Sequence, residues 1–276
     1  MSRLSLVLLL IVGTMTLATS PVLTDTTTSA PSVDITITVL NTFAPDYPSQ
    51  ILGLDYDEAN DRLAFGSANY FDPEVTFCDP DTGAYLAEVA YSSPLLDFGV
   101  ALDDDASHLY LTEWGDGKLY TWDWSNWSSI DSPTDTQGRG MDYLDGYLWV
   151  AHGNNEAVKR FLPDGSGVET YSTPELNDQL SGLTTFPLGS DVGIILTSYY
   201  ADKFFFYRYD GSSLDFLGSV DIPLWTNSAL GLAYSASRDS FYYSYTDGAT
   251  YTISELDIEL AFSSIEETTW GQIKAM

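Results

Sequence analysis

From His108 to Asp123, apolar and polar side chains alternate along two short runs, HLYLTEW and KLYTWD, broken by Gly115-Asp116-Gly117. Alternation puts successive side chains on opposite faces of a strand, and a Gly-Asp-Gly break supplies tight-turn backbone angles, so the stretch predicts a β-hairpin. The same pattern recurs along the chain. First strands are predicted at ILGLDYD (51–57), FGVALDD (98–104), RGMDYLD (139–145), SGLTTFP (181–187) and LGLAYSA (230–236). Each carries a glycine near its start, and Gly53, Gly99, Gly140, Gly182 and Gly231 follow one another at spacings of 46, 41, 42 and 49 residues. Second strands follow at RLAFGSA, HLYLTEW, YLWVAHG, VGIILTSYY and SFYYSYT, and third strands at EVTFCDP, KLYTWDW, AVKRFLP, KFFFYRYD and TYTISELDI.

A multi-strand unit repeated every forty to fifty residues predicts an all-β chain folded as a β-propeller. Outer strands are weaker, the clearest being AYLAEVAY, VETYSTP and LDFLGSV, and the last unit lacks one. DITITVLNTF (34–43) alternates without a hairpin partner beside it, so it is expected to complete that last blade. The pattern predicts five blades of four antiparallel strands. Six is the alternative if the longer 182–231 interval hides a degenerate blade.

The flanks depart from the repeat. One Arg, an apolar run and small residues make 1–20 read as a secretory signal peptide, too short to span a bilayer comfortably. A Thr/Ser-rich leader covers 21–33, the propeller 34–262, and 263–276 a tail or short helix with Ile265, Trp270 and Ile273 on one stripe. The chain is accordingly expected to be secreted, extracellular or periplasmic.

Charge narrows the partners. Forty acidic against ten basic residues give a net charge of −30, which repels nucleic acid and anionic membrane because both require Lys or Arg against phosphate. No stable membrane insertion is expected after signal cleavage. The lone Cys78 rules out an intrachain disulfide or a Cys-based zinc cluster, and is expected to pack as a small buried side chain. With only His108 and His152, a His-rich metal centre is excluded. There is no GxSxG elbow, P-loop, GxGxxG or HExxH. Asp79-x-Asp81-x-Gly83 fails as an EF-hand, with Ala90 where the twelfth-position Glu belongs, and reads as a solvated turn.

LYLTEWGDGKLYTWD and LWVAHGNNEAVKRFLPDG resemble the repeats of NHL-type and gluconolactonase (regucalcin)-like propellers over about 34–262. That resemblance implies the propeller fold and, in the lactonase-like enzymes, a divalent metal at the channel mouth. The family holds it with a Glu from Gly-Glu-Gly-Pro, an Asn before Gly and an Asp before Gly. The corresponding positions here are Ser49-Gln50-Ile51-Leu52, Gln179-Leu180-Ser181-Gly182 and Ser228-Ala229-Leu230-Gly231, so no residue of that set carries over.

Propeller sites form where the second-to-third-strand loops and the interblade loops converge. Those loops place Asp72, Glu74, Glu113, Trp114, Asp116, Arg139, His152, Asn154, Asn155, Glu156, Tyr200, Asp202, Trp225, Asn227 and Asp247 at the channel mouth. Carboxylates offer hard oxygen ligands and aromatic faces stack on sugars or cations. The expected function is an exported acidic binding or interaction module for a protein, peptide or polysaccharide, with Ca²⁺ as candidate cofactor. The alternatives are a metal-dependent lactonase-type hydrolase and a structural cell-envelope protein tethered by its C-terminal tail.

Overall fold

A computed structural model of the chain describes residues 33–46, 51–67, 74–90, 96–154, 156–176, 179–224 and 228–262. The signal sequence, nearly all of the leader, and the 263–276 tail lie outside the described residues.

Twenty strands form five four-stranded antiparallel sheets, each a blade. Blade 1 is β2 (Ile51–Asp57), β3 (Arg62–Ser67), β4 (Glu74–Cys78) and β5 (Tyr85–Ala90). Blade 2 is β6 (Leu96–Leu102), β7 (Leu109–Trp114), β8 (Lys118–Trp122) and β9 (Trp127–Asp131). Blade 3 is β10 (Gly138–Leu144), β11 (Tyr147–His152), β12 (Ala157–Phe161) and β13 (Glu169–Ser172). Blade 4 is β14 (Leu180–Leu188), β15 (Asp191–Ser198), β16 (Lys203–Tyr209) and β17 (Leu214–Asp221). Blade 5 is β18 (Ser228–Ser235), β19 (Ser240–Thr246), β20 (Tyr251–Phe262) and, on its outside, β1 (Val33–Phe43). The N-terminal strand therefore closes the ring as its alternation predicts. It pairs with β20 from Val33↔Phe262 to Phe43↔Ile253. The interval 182–231 holds one blade.

The core is divided among the seams. Phe77 and Val75 meet Leu109 and Leu111 between blades 1 and 2, and Tyr110 and Leu119 meet Leu148 and Phe161 between blades 2 and 3. Trp149 and Val158 meet Phe205 and Tyr207, Phe204 and Phe206 meet Tyr243 and Leu256, and Tyr242 and Ile253 meet Phe65 and Cys78. Blades fanned about an axis leave wedge-shaped gaps, which the abundant aromatics fill. Cys78 packs in the seam between blades 5 and 1 at 1% exposure, and burial pushes its thiol pKa up to about 12.

The five glycines form the inner ring. A Cβ on Gly231 would lie 2.6 Å from Leu54 Cβ, and one on Gly140 would press on the backbone of Gly182 and Leu183. Each first-to-second-strand ladder also carries a register shift at or beside its glycine. Such a bulge removes an amide from the ladder. Second-strand hydroxyls take over two of these amides: Gly182 N donates to Thr197 Oγ1 at 2.8 Å and Gly231 N to Ser244 Oγ at 2.7 Å.

Candidate site at the channel mouth

The turns after the second strands share one end of the ring with the interblade connections. The residue before each ring glycine, among them Leu52, Arg139, Ser181 and Leu230, sits where the inner strands enter the channel. Leu52 and Leu230 pack together with Tyr199 and Tyr251 against them. Arg139 is 6% exposed, and a Cβ on Gly153 would lie 2.7 Å from its Nε. The guanidinium thus lies on the bare backbone of the β11–β12 turn. Burial draws its pKa down from the usual range, opposed by the nearby Tyr199 and Tyr200 hydroxyls. Tyr199 meets Tyr200 edge to face at 4.9 Å, and Tyr200 projects outward at 71% exposure.

The other predicted residues divide by the job their surroundings give them. Glu74 begins β4, Glu113 is the last but one residue of β7 and His152 ends β11, all at the mouth end of their strands, but they are buried, at 2%, 1% and 2% exposure. Strand alternation puts Glu113 on the face of Leu109 and Leu111, which packs on blade 1. It puts His152 on the face of Leu148 and Val150, toward blade 2, and Glu74 on the face opposite Val75 and Phe77. These three therefore occupy the mouth ends of the seams rather than the channel axis. Burial, with the Lys159 ammonium next in importance, holds the His152 pKa below its ordinary value, so the imidazole is neutral at pH 7.

Asp116 and Asp247 cap their own turns. Asp116 accepts from Lys118 N at 2.8 Å, and Asp247 accepts from Ala249 N at 2.8 Å and Thr250 N at 2.7 Å. The Ala249 and Thr250 amides favour the ionised form of Asp247 and hold its pKa below the usual range. Asn154, Glu156 and Asp202 lie in the equivalent turns of blades 3 and 4; the Glu156 and Asp202 carbonyls accept from Thr173 N at 2.7 Å and Ile222 N at 2.9 Å. Trp114 ends β7. Asp72, Asn155, Trp225 and Asn227 lie outside the described residues. Among the described residues, no three His, Cys, Asp or Glu side chains are grouped to hold a metal ion.

The pattern reading missed Leu52, Leu230 and Tyr251. It also missed two carboxylates in the channel wall, Asp55 and Asp142, each two residues after a ring glycine. Asp55 accepts from Tyr56 N at 2.8 Å and, across the seam, from Leu102 N at 2.6 Å. Asp142 accepts from Tyr143 N at 2.7 Å, and its Oδ2 takes Thr184 Oγ1 at 3.1 Å, Thr185 Oγ1 at 2.8 Å and Thr185 N. Desolvation raises both pKa values, and the Asp142 charge adds to the rise at Asp55. Aligning the five units on their glycines sets Leu52 and Leu230 immediately before, and Asp55 and Asp142 two residues after, a ring glycine.

No protein-family model matches the sequence, and no curated protein matches it. Among solved structures the chain is similar to glutaminyl cyclase of Myxococcus xanthus, at 12% identity and TM-score 0.63 over 83% of this chain and 99% of that one. It is also similar to a chain of a nidogen/laminin complex, at 13% identity and TM-score 0.53 over 76% and 85% of the two chains. A protein of unknown function from Bacteroides thetaiotaomicron aligns at 10% identity and TM-score 0.50, over 83% of this chain and 77% of that one. At these identities the likeness is one of fold. The class is a five-bladed β-propeller of four-stranded antiparallel blades.

Proposed function

We propose that the chain is an exported, acidic β-propeller that binds a protein, peptide or polysaccharide at the mouth holding Arg139 and Tyr200. One observation carries this reading: a solvent-projecting tyrosine, steadied edge-on by Tyr199, stands beside a sunken guanidinium. An exposed aromatic is unfavourable in water and gains when a ligand face covers it. Arg62, Lys118, Arg160, Lys203, Arg208 and Arg238 each pair with a carboxylate on the blades. Lys159 donates to the Pro133 carbonyl. The Arg139 guanidinium at the mouth would favour a ligand that brings an acceptor.

The test is a binding screen of the full chain against peptides and oligosaccharides, repeated with Tyr200→Ala. Loss of at least tenfold in affinity with an unchanged melting temperature is the expected result. A ligand indifferent to Tyr200→Ala would move the site elsewhere. Export is tested separately, by N-terminal sequencing of the protein from culture medium or periplasm.

A further inference from the structure

The strand that closes the ring, β1, is also the longest outer strand. It has eleven residues, against six in β5, five in β9, four in β13 and eight in β17. It pairs with β20 along one edge, and among the described residues no backbone hydrogen bond from Val33–Phe43 reaches any other strand. β19 pairs with β20 only as far as Leu256. Val33–Thr38 and Asp257–Phe262 therefore run on past β19 as a two-stranded ribbon. One face of the ribbon is anchored, where Ile35, Ile37, Ile258 and Leu260 pack with Leu217 and Val220 of blade 4. The outer edge of β1 stays open.

Sheets guard such an edge with lysine, proline, an inward charge or a bulge, because its free amides and carbonyls template any extended chain. VDITITVLNTF contains no Lys, Arg or Pro, and its bulge comes late, between Val39 and Asn41. Val33 to Val39 thus present an unbroken edge, at whose end Val39 and Leu40 are 36% and 54% exposed. The charge beside this edge is of one sign. The face opposite Ile35 and Ile37 carries Asp34, Thr36 and Thr38, with Asp257 across the ladder from Thr38 and Glu259 from Thr36. Among the described residues no cation pairs with Asp34, Asp257 or Glu259. A strand added outside β1 would lie about 4.8 Å from it and twice that from β20, so a Lys or Arg laid across Thr36 and Thr38 reaches those carboxylates. A second copy of the chain would bring the same carboxylates and another −30, and be repelled. A basic strand complements both the open backbone and the charge.

We propose that the outer edge of β1 binds a partner protein by strand addition, taking an extended segment with Lys or Arg at alternate positions. Main-chain bonds to β1 hold the segment, and its cations, all on the face of Asp257 and Glu259, select it. The site lies on the flank of blade 5 and does not depend on the function proposed for the mouth.

The test follows amide NMR signals of the full chain while adding a peptide of alternating lysine and threonine as long as Val33–Val39. Two controls accompany it: the same peptide with glutamate for lysine, and the lysine peptide with a fully N-methylated backbone, which keeps the charge and loses every main-chain donor. Saturable shifts at the Thr36 and Thr38 amides, with slower hydrogen exchange in β1, are expected with the lysine peptide and at least tenfold weaker with either control. Thr36→Lys, a cation at an exposed edge position, should weaken binding at least tenfold with an unchanged melting temperature. Asp257→Asn with Glu259→Gln should do the same. Asp105→Asn with Asp164→Asn removes equal charge from exposed turns of blades 2 and 3, keeps the Oδ1 acceptors of those turns, and should bind like the parent. Equal binding of the N-methylated peptide, undiminished binding to either β1–β20 variant, or no saturable shift in β1 overturns the proposal. A parent dimer that Thr36→Lys dissociates overturns it in favour of a second copy. Binding that emerges only on deletion of 263–276 overturns it in favour of that tail.

Discussion

Arg238 Nη1 donates to Asp81 Oδ1 at 2.6 Å, joining the last blade to the first. The same guanidinium reaches Tyr56 Oη at 2.7 Å and Asp61 Oδ1 at 3.0 Å, while Glu58 accepts from Ala236 N beside it. Ring closure has a second fastening in the β1–β20 ladder, where Asn41 Nδ2 also donates to the Asp81 carbonyl at 2.8 Å. A propeller has no covalent link at this seam other than the chain itself, so opening should begin there.

Arg238→Gln therefore should lower stability by about 1–2 kcal/mol. That range allows for the solvent around Asp61 and Asp81 while counting a shared network rather than one exposed pair. Arg238→Lys should recover less than half of it, because an ammonium cannot span the three partners in one plane. Denaturant unfolding measures both. A variant as stable as the parent would show that β1 alone closes the ring.

Deleting 34–43 should abolish a cooperative melt or lower its midpoint by more than about 10 °C, because blade 5 loses a full ladder and exposes the β20 edge. Calorimetry reads the first effect and size-exclusion chromatography the second, as association through the bared edge. A truncate that melts like the parent would show that three strands suffice for blade 5.

Gly140→Ala should cost about 3 kcal/mol, since the added methyl would meet backbone of β14 and has no flexible neighbour to displace. Gly211→Ala is the contrasting case. Its Cβ would meet nothing within 4 Å, and only the left-handed backbone at φ 93° opposes it, for about 1 kcal/mol. Equal losses in urea unfolding would deny that the inner strands need glycine for their approach.

The five glycines announce the blade count because close approach around a narrow axis leaves a residue-level mark at a fixed point of each repeat. Closure by 34–43 is legible for a related reason: an alternating run with no hairpin neighbour must find a partner elsewhere, and the last unit lacks an outer strand. Glu113 and His152 show where sequence reasoning stops. Their loops point to the mouth, but which face of the blade each occupies depends on the register of β7 and β11 against neighbouring blades. Asp116 and Asp247 show a second limit, since an acidic turn residue written for a ligand and one written for its own backbone amides look the same in sequence. Asp55 and Asp142 resemble ordinary strand carboxylates until the next blade supplies the Leu102 and Thr185 amides.

Those two channel carboxylates make the last prediction one of pH. Burial raises both pKa values above the ordinary 3.8, so the folded state holds protons that the unfolded chain releases. Their contribution to stability is then complete below the unfolded value and is lost as pH rises through the folded values. Exposed turn aspartates oppose this: hydrogen bonds from Ser213 and Ser212 hold Asp210 at about 2, so its contribution is present above 3.8 and lost on acidification toward that value. Comparing each protein with a single variant separates the two. The loss of melting temperature caused by Asp55→Asn should be largest near pH 4, where the parent carries a neutral acid, and should shrink toward pH 8, where the parent must ionise or retain its proton at a cost. Asp210→Asn should behave in the opposite sense, its effect vanishing in acid. Melts of the three proteins at pH 4, 6 and 8 decide the matter. An Asp55→Asn penalty that grows with pH would mean that the channel holds Asp55 as a stabilised anion, through the Leu102 and Tyr56 amides, against the cost of burial.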